Sequence, residues 1–377
     1  MRIFVVRKGD SLYSIGKRFG VTVQTLADIN GLTDPSRLTV GQSLVIPDGT
    51  AGELGEIEVN AYAYPNISTG LLNAAMPYLT FLCPFSWQMD SAGGITPIED
   101  REMIQAAYAG GTAPMLTVTN IASNGGFSSD IAHAVFTDMA VQDTLIENIL
   151  SVLRSRGYYG VNLNIEYVYP FDREGYNNFL RRLSDRLHPL GYYLSTAIAP
   201  KTSDAQQGLL YTAHDYAAHG RYCDRVIIMT YEWGFTYSSP QAVSPVDRIR
   251  AVLDYAVTQI PSGKILLGFS NYGYNWTLPW KQGQASTVIS NTAAVNLAAS
   301  KFAEIKYSER AQAPYFNYTD PNGVRHEVWF EDARSAEARL RLIREYKLAG
   351  ASWWTINFAN PAGWAVLNSL YSVEKIV

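Results

Sequence analysis

Residues 159–167 read Tyr-Gly-Val-Asn-Leu-Asn-Ile-Glu-Tyr, and the alternation inside them decides how the chain is built. Side chains two apart along a strand point the same way. Asn162, Asn164 and Glu166 therefore share one face, and Val161, Leu163 and Ile165 the other. A strand covered by helices on its outside packs its apolar set outward and turns its polar set inward. Three polar groups inside a core are costly to bury without partners. A structural hydrogen-bond network would satisfy them, but a carboxyl at the strand's C-terminal rim, where parallel barrels keep their active sites, accounts better for Glu166.

Working outward, strand patterns recur at 56–64, 78–87, 113–120, 193–199, 225–231, 264–270 and 351–357, eight in all with 159–167. Stretches with apolar residues three and four apart lie between them, as at 141–156, 176–187 and 246–259. This rhythm predicts an α/β fold, a (β/α)8 TIM barrel over 56–377. The interval from about 275 to 333 is too long for an ordinary connection. It reads as a small α+β insertion beside the site, containing a helix and a hairpin turned at Asp320-Pro321-Asn322-Gly323.

Residues 1–48 have a different texture. Phe4 and Val6 alternate as in a half-buried strand. Asp10 or Ser11 caps a helix with Leu12, Ile15 and Phe19 on one face, stopped by Gly20. A second helix follows Thr22 and ends at Asn30-Gly31, and Leu44 to Ile46 form a closing strand before Pro47. The segment 49–55 is a short Gly-rich linker from this βααβ unit to the barrel.

Composition narrows the function. The chain has 377 residues, 47% of them hydrophobic, which suffices for a sizeable core and excludes disorder. Charged residues are only 17% and the net charge is −4, so nucleic acid and anionic membrane are not expected partners. The run Ile3 to Val6 is too short for a signal peptide, and no apolar run approaches a membrane span. Twenty-five Tyr and eight Trp exceed what a plain core needs and suit a surface that stacks on sugar rings. Cys83 and Cys223 sit in apolar runs and read as buried free thiols. His133, His188, His214, His219 and His326 lack ligand spacing, so no metal is expected, and neither a phosphate-cradling loop nor a nucleophile elbow points to a cofactor.

The segments VVRKGDSLYSIGKRFGVTVQTLADINGL and LTVGQSLVIP resemble a LysM module. That resemblance implies binding of N-acetylglucosamine glycans, peptidoglycan or chitin, in a groove at Gly9, Asp10, Ser11, Leu12 and Asn30, Gly31, Leu32. The stretch 159–166 resembles the DGxDxDxE strand of family 18 glycoside hydrolases. Met229-Thr230-Tyr231-Glu232 is similar to that family's Met-x-Tyr-Asp strand, and Ser352-Trp353-Trp354 to the Trp ending its eighth strand. With the LysM module in front, the chain most resembles spore-cortex-lytic N-acetylglucosaminidases of endospore-forming bacteria.

The resemblance implies retaining hydrolysis in which the substrate's acetamido oxygen is the nucleophile, so that one protein acid suffices. Glu166 would then be the acid and base, Tyr231 would hold the acetamido carbonyl, and Trp354 would floor the sugar. Met229, Glu232, Asn162, Asn271 and Tyr272 are candidate substrate contacts. Asn164 stands where the family has Asp, which predicts a slowed enzyme unless another carboxylate such as Glu232 compensates. Asn162 and Tyr159 also replace family aspartates. A spore location and a monomer are expected. The alternatives are a chitinase, or a non-catalytic binder of N-acetylglucosamine polymers; retention of Glu166 argues against the binder and Asn164 for it.

Overall fold

Eight parallel strands close into a barrel in the computed structural model, which describes residues 1–377. They are Glu56–Ala63, Phe81–Pro84, Ala113–Thr119, Gly160–Asn164, Tyr193–Ile198, Arg225–Ile228, Ile265–Ser270 and Gly350–Trp354. Each lies within a segment read from the sequence as a strand, give or take one residue. Asn60 pairs with Phe81, Met115 with Gly160, Gly160 with Tyr193 and Val226 with Ile265. Gly350 opposite Glu58 shuts the ring. A Cβ on Gly350 would lie 1.8 Å from the Glu58 carbonyl oxygen, so this closing register admits only glycine.

The alternation at 159–166 has the predicted consequence. Val161, Leu163 and Ile165 are fully buried with Ile146, Leu150, Phe179 and Leu183 in the layer between barrel and helices. Asn162 points inward, where it accepts from the Tyr62 hydroxyl at 2.8 Å and donates to Ser195 Oγ at 2.8 Å. The helices take their bounds from their caps. Met139–Arg156 begins at Asp138, whose carboxylate accepts from the Ala140 and Val141 N–H groups, and ends on Gly157 with φ 75°. Arg173–Leu187 starts a little before its predicted span, and Val246–Gln259 coincides with it.

The insertion follows the seventh barrel strand. A five-stranded antiparallel sheet runs in the order Thr287–Ser290, Tyr272–Leu278, Arg325–Trp329, Ala313–Thr319, Lys306–Ser308, and carries the helix Asn291–Ser300. It begins at Tyr272, earlier than the periodicity suggests. Only Asn271 separates Ile265–Ser270 from Tyr272–Leu278, so no turn residues mark the change of sheet. The hairpin does turn at 320–323, with Asp320 Oδ1 accepting from the Asn322 and Val324 N–H groups.

In the N-terminal module Arg2–Val5 pairs with Ser43–Ile46 in antiparallel fashion around the helices Leu12–Phe19 and Val23–Asn30. Ser11, rather than Asp10, caps the first helix. The module is seated on the barrel and its insertion. Thr39 Oγ1 donates to the Ala303 carbonyl at 2.8 Å, Ile305 N–H to the Val40 carbonyl at 2.9 Å, and Arg334 Nη2 to the Gly41 carbonyl at 3.1 Å. The linker is held as well, since the N–H groups of Gly52, Glu53 and Leu54 donate to the carbonyls of Asn368, Ser369 and Leu370.

Candidate active site

A cleft of about 460 Å³ opens at the C-terminal ends of the barrel strands. Aromatic and apolar residues dominate its walls, Tyr64, Phe85, Phe127, Met229, Trp354 and Phe358 among them, and Asn164, Glu166, Tyr231 and Glu232 supply its polar chemistry. Neither Lys, Arg nor His lines it. This is the usual makeup of a ligand site, with many apolar contacts and a few aimed polar groups.

Glu166 follows directly on Gly160–Asn164, and its peptide is clamped. Its N–H donates to Asn120 Oδ1 at 3.0 Å, and its carbonyl accepts from Asn120 Nδ2 at 2.7 Å. One residue back, the Ile165 carbonyl accepts from His214 Nε2 at 2.9 Å, while His214 Nδ1 accepts from the Ala199 N–H at 3.0 Å. Those two bonds fix His214 as the neutral Nε2-protonated tautomer, and burial holds its pKa down at about 4.

The Glu166 side chain keeps part of its surface open to the cleft. Burial pushes its carboxyl up to about 7. Glu232 adds like-charge repulsion, and a hydrogen bond from Asn164 pulls the other way. A carboxyl near neutrality is suited to giving a proton and taking one back. Glu232, on the strand-end turn at φ 65°, is solvent-exposed on one side. On the other, it accepts from Tyr272 Oη and, at 2.9 and 3.1 Å, from Tyr274 Oη. Enclosure by the cleft wall raises its carboxyl, and the two phenol donors favour the ion. Because water reaches Glu232, the phenol donors are the firmer part of this balance.

Asn164 is 3% exposed, and its Oδ1 has no hydrogen-bond partner. A buried acceptor aimed into a cleft and left unmatched is poised for a donor from outside the protein. Burial and the nearby carboxylates push the Tyr231 hydroxyl well above its usual pKa, so it remains a donor. Trp354 is braced edge-on by Phe85, Tyr62 and Tyr64 at centroid distances of 4.7, 5.4 and 5.7 Å.

Of the residues read from sequence, Glu166, Asn164, Tyr231, Trp354, Glu232, Met229 and Tyr272 therefore meet around one cleft. Asn162 lies deeper in the barrel. Asn271 is buried beside the cleft, where its amide donates to the Thr355 and Phe358 carbonyls at 3.0 and 2.8 Å. Tyr159 is at the opposite end of its strand, packed against Phe81 and Tyr193. Sequence reading missed Asn120, Tyr274 and the role of His214. Tyr274 had a signal, because it lies two residues from Tyr272 on one strand; Asn120 and His214 act through backbone contacts that no local pattern encodes.

With Glu166 in the polar cleft of a closed barrel, the matches to known proteins fit the geometry. Residues 117–359 match the model of Glycosyl hydrolases family 18. The chain belongs to this family. As a member it is a glycoside hydrolase, and its residues 4–47 match the LysM domain. The cortical fragment-lytic enzyme of Bacillus subtilis is 39% identical, the alignment covering 100% of this chain and 99% of that one. The crystal structure of the Bacillus megaterium spore cortex-lytic enzyme SleL superposes with a TM-score of 0.94 at 33% identity, over 100% and 99% of the two chains. That of the Bacillus cereus enzyme gives 0.83 at 41% identity, over 99% and 87%.

In the module, the residues expected to form a glycan groove divide. Gly9, Asp10 and Ser11 face outward, and Leu12 is buried in the module's own core. The Asn30 amide is spent on Leu26 and Val45, and a Cβ on Gly31 would lie 2.5 Å from Pro361 Cγ of the barrel domain. This side of the module is therefore turned onto its neighbour.

Asn120 is a positioning residue in this site. Asn120→Ala should lower kcat of the family's hydrolytic reaction by about 10- to 100-fold with KM little changed, because the acid would lose its fixed backbone. Steady-state kinetics checks this, and loss of thermal stability with unchanged kcat would leave Asn120 only a structural role.

Proposed function

We propose that the chain cuts spore-cortex peptidoglycan after N-acetylglucosamine, by retaining hydrolysis in which the substrate's acetamido oxygen is the nucleophile. The observation that carries this reading is the placing of Glu166 at the cleft, its carboxyl pushed up to about 7 by burial, beside groups suited to an acetamide. Asn164 Oδ1 would accept the acetamido N–H, and the Tyr231 hydroxyl would donate to its carbonyl, turning that oxygen toward the anomeric carbon. Glu166 would protonate the leaving glycosidic oxygen. It would then take a proton from the water that opens the oxazolinium ring, which restores the acid and retains the configuration. Trp354 would stack under the distorted pyranose.

The charge of the cleft favours N-acetylglucosamine at the reacting position. A muramic carboxylate there would meet Glu166 and Glu232 with no cation lining the site. The Bacillus relatives, a cortical fragment-lytic enzyme and a spore cortex-lytic enzyme, supply the cortex as the polymer, and with it the spore as the place of action. The LysM module would hold the enzyme on that polymer and raise the local concentration of cleavable bonds.

A chitinase reading draws on the same aromatic cleft without cations. Incubation with cortex fragments and with chitin oligomers, followed by mass spectrometry of the new reducing ends, separates the two. New N-acetylglucosamine ends from cortex fragments are expected. Cleavage of chitin alone would favour the chitinase, and binding of both with cleavage of neither would make the chain a non-catalytic binder.

A further inference from the structure

Phe302 is the most exposed large apolar residue of the chain, at 96%, the next being Phe171 at 73%. It also occupies a left-handed backbone position, φ 52°, which a bulky aromatic rarely adopts. Packing offers no reason for an aromatic ring here, since the ring is almost wholly exposed, and a bulky residue held at positive φ is a backbone outlier of the kind that clusters at ligand-binding sites.

The turn that carries Phe302 is tightly fixed. Phe302 N–H donates to the Ala299 carbonyl at 3.2 Å and Ala303 N–H to the Ala298 carbonyl at 2.9 Å, while Thr39 and Val40 of the LysM module bond to Ala303 and Ile305. The ring therefore stands on a rigid seam between module and insertion. Beside it runs a groove of about 770 Å³, walled by Lys8 and by Ser36 to Val40 on the module and by Ala299, Ser300 and residues 302–304 on the insertion. Lys8 immediately precedes the Gly9–Leu12 loop, and residues 36–40 continue the chain beyond Asn30–Leu32. The Gly9–Leu12 loop thus leads into this groove, while Asn30, Gly31 and Leu32 line a separate cavity against Asn360 to Gly363 of the barrel domain.

Charge is unevenly spread. Residues 1–48 hold six Lys and Arg against four Asp, a positive surplus in a chain whose net charge is −4. Lys8 and Arg37 line the groove against the single carboxylate of Glu304, with Asp34 3.4 Å from Arg37 at the edge. The catalytic cleft has the opposite character, two carboxylates and no cation.

We propose that Phe302, Lys8 and Arg37 form a second glycan subsite, which extends the module's surface onto the insertion and takes a strand bearing carboxylates, as muramyl residues do. The Phe302 ring stacks on the C–H face of a pyranose, and the two cations meet carboxylates of neighbouring units. Module and catalytic domain hold one polymer jointly across a rigid seam, so the acidic cleft selects the bond while the groove beside Phe302, with its two cations, recognises the strand. This inference rests on glycan binding by the LysM module as proposed above.

The test uses the full chain carrying Glu166→Gln, so that binding is read without cutting. The probes are purified peptidoglycan strands with free muramyl carboxylates and a chitin hexamer. Phe302→Gly removes the ring and relaxes the left-handed backbone; it should weaken binding of both probes by about fivefold to tenfold, with an unchanged or higher melting temperature. Lys8→Gln with Arg37→Gln should weaken only the peptidoglycan strands at low salt, and the difference should vanish near 0.5 M salt, where the Debye length is only about 4 Å. Phe302→Gly binding within about twofold of its parent would overturn the subsite. An effect of the charge pair equal on both probes would overturn its carboxylate specificity. A parent chain that binds neither probe would remove the glycan reading of the module along with the inference.

Discussion

Glu166→Gln is expected to lower kcat by about 10³ or more, the range general acid–base catalysis supplies, while affinity for N-acetylglucosamine oligomers is retained. Gln preserves the shape and a donor but has no proton to give to the leaving oxygen. In the parent chain, activity should fall as pH rises through about 7, because the acid must enter the reaction protonated. The same substitution should also stabilise the fold at neutral pH. A carboxyl whose pKa is raised on folding holds more protons in the folded than in the unfolded state between its ordinary value near 4.5 and about 7. Stability is therefore lost as pH rises across that window, up to about 3 kcal/mol above it. Melting temperatures at pH 5 and pH 8 check the point: Glu166→Gln should gain on the parent at pH 8 and match it at pH 5. An equal difference at both would mean that the carboxyl is not strained by its surroundings, and the case for a tuned acid would fail.

The barrel was legible because two periodicities carried it. Strand-forming runs placed all eight strands, with alternation fixing the faces of 159–167, and three- and four-residue spacing placed the helices at 141–156, 176–187 and 246–259, since both patterns record which side of an element meets the core. Glu166 was legible as a strand-end residue, whose direction follows once the strand is placed, whereas Tyr231 and Trp354 were singled out by resemblance to the family's motifs. The clamps were not. Asn120 reaches Glu166 from 46 residues away, and His214 reaches Ile165 across 49, both to main-chain atoms that leave no trace in side-chain pattern. Asn271 lies outside the cleft lining for a related reason. It is the single residue between a barrel strand and an insertion strand, and its amide is consumed in tying down the Thr355 and Phe358 carbonyls. The module's glycan surface was carried over from the LysM resemblance, which could not anticipate that Gly31 would abut Pro361.

Asn164→Asp should raise kcat, by up to about 10²-fold, and the reason lies in where charge develops. In the proposed mechanism, attack by the acetamido oxygen would build positive charge on an oxazolinium ring next to position 164. The Asn164 amide can orient the acetamide through its unpartnered Oδ1 but carries no charge to balance the intermediate. The remaining carboxylate in the cleft is Glu232, held by two phenol donors that keep its negative charge in place. Glu232→Gln should therefore cost more in the Asn164 chain than in the Asn164→Asp chain, a coupling that a double-mutant cycle reads directly. A second carboxylate beside Glu166 would also push that acid's pKa above 7, so the alkaline limb of the rate profile should move upward with the gain in kcat. If kcat does not rise and the cost of Glu232→Gln is the same in both chains, charge on the intermediate is not what limits turnover. The amide at 164 would then serve orientation alone, with Glu232 acting as a polar contact to the sugar.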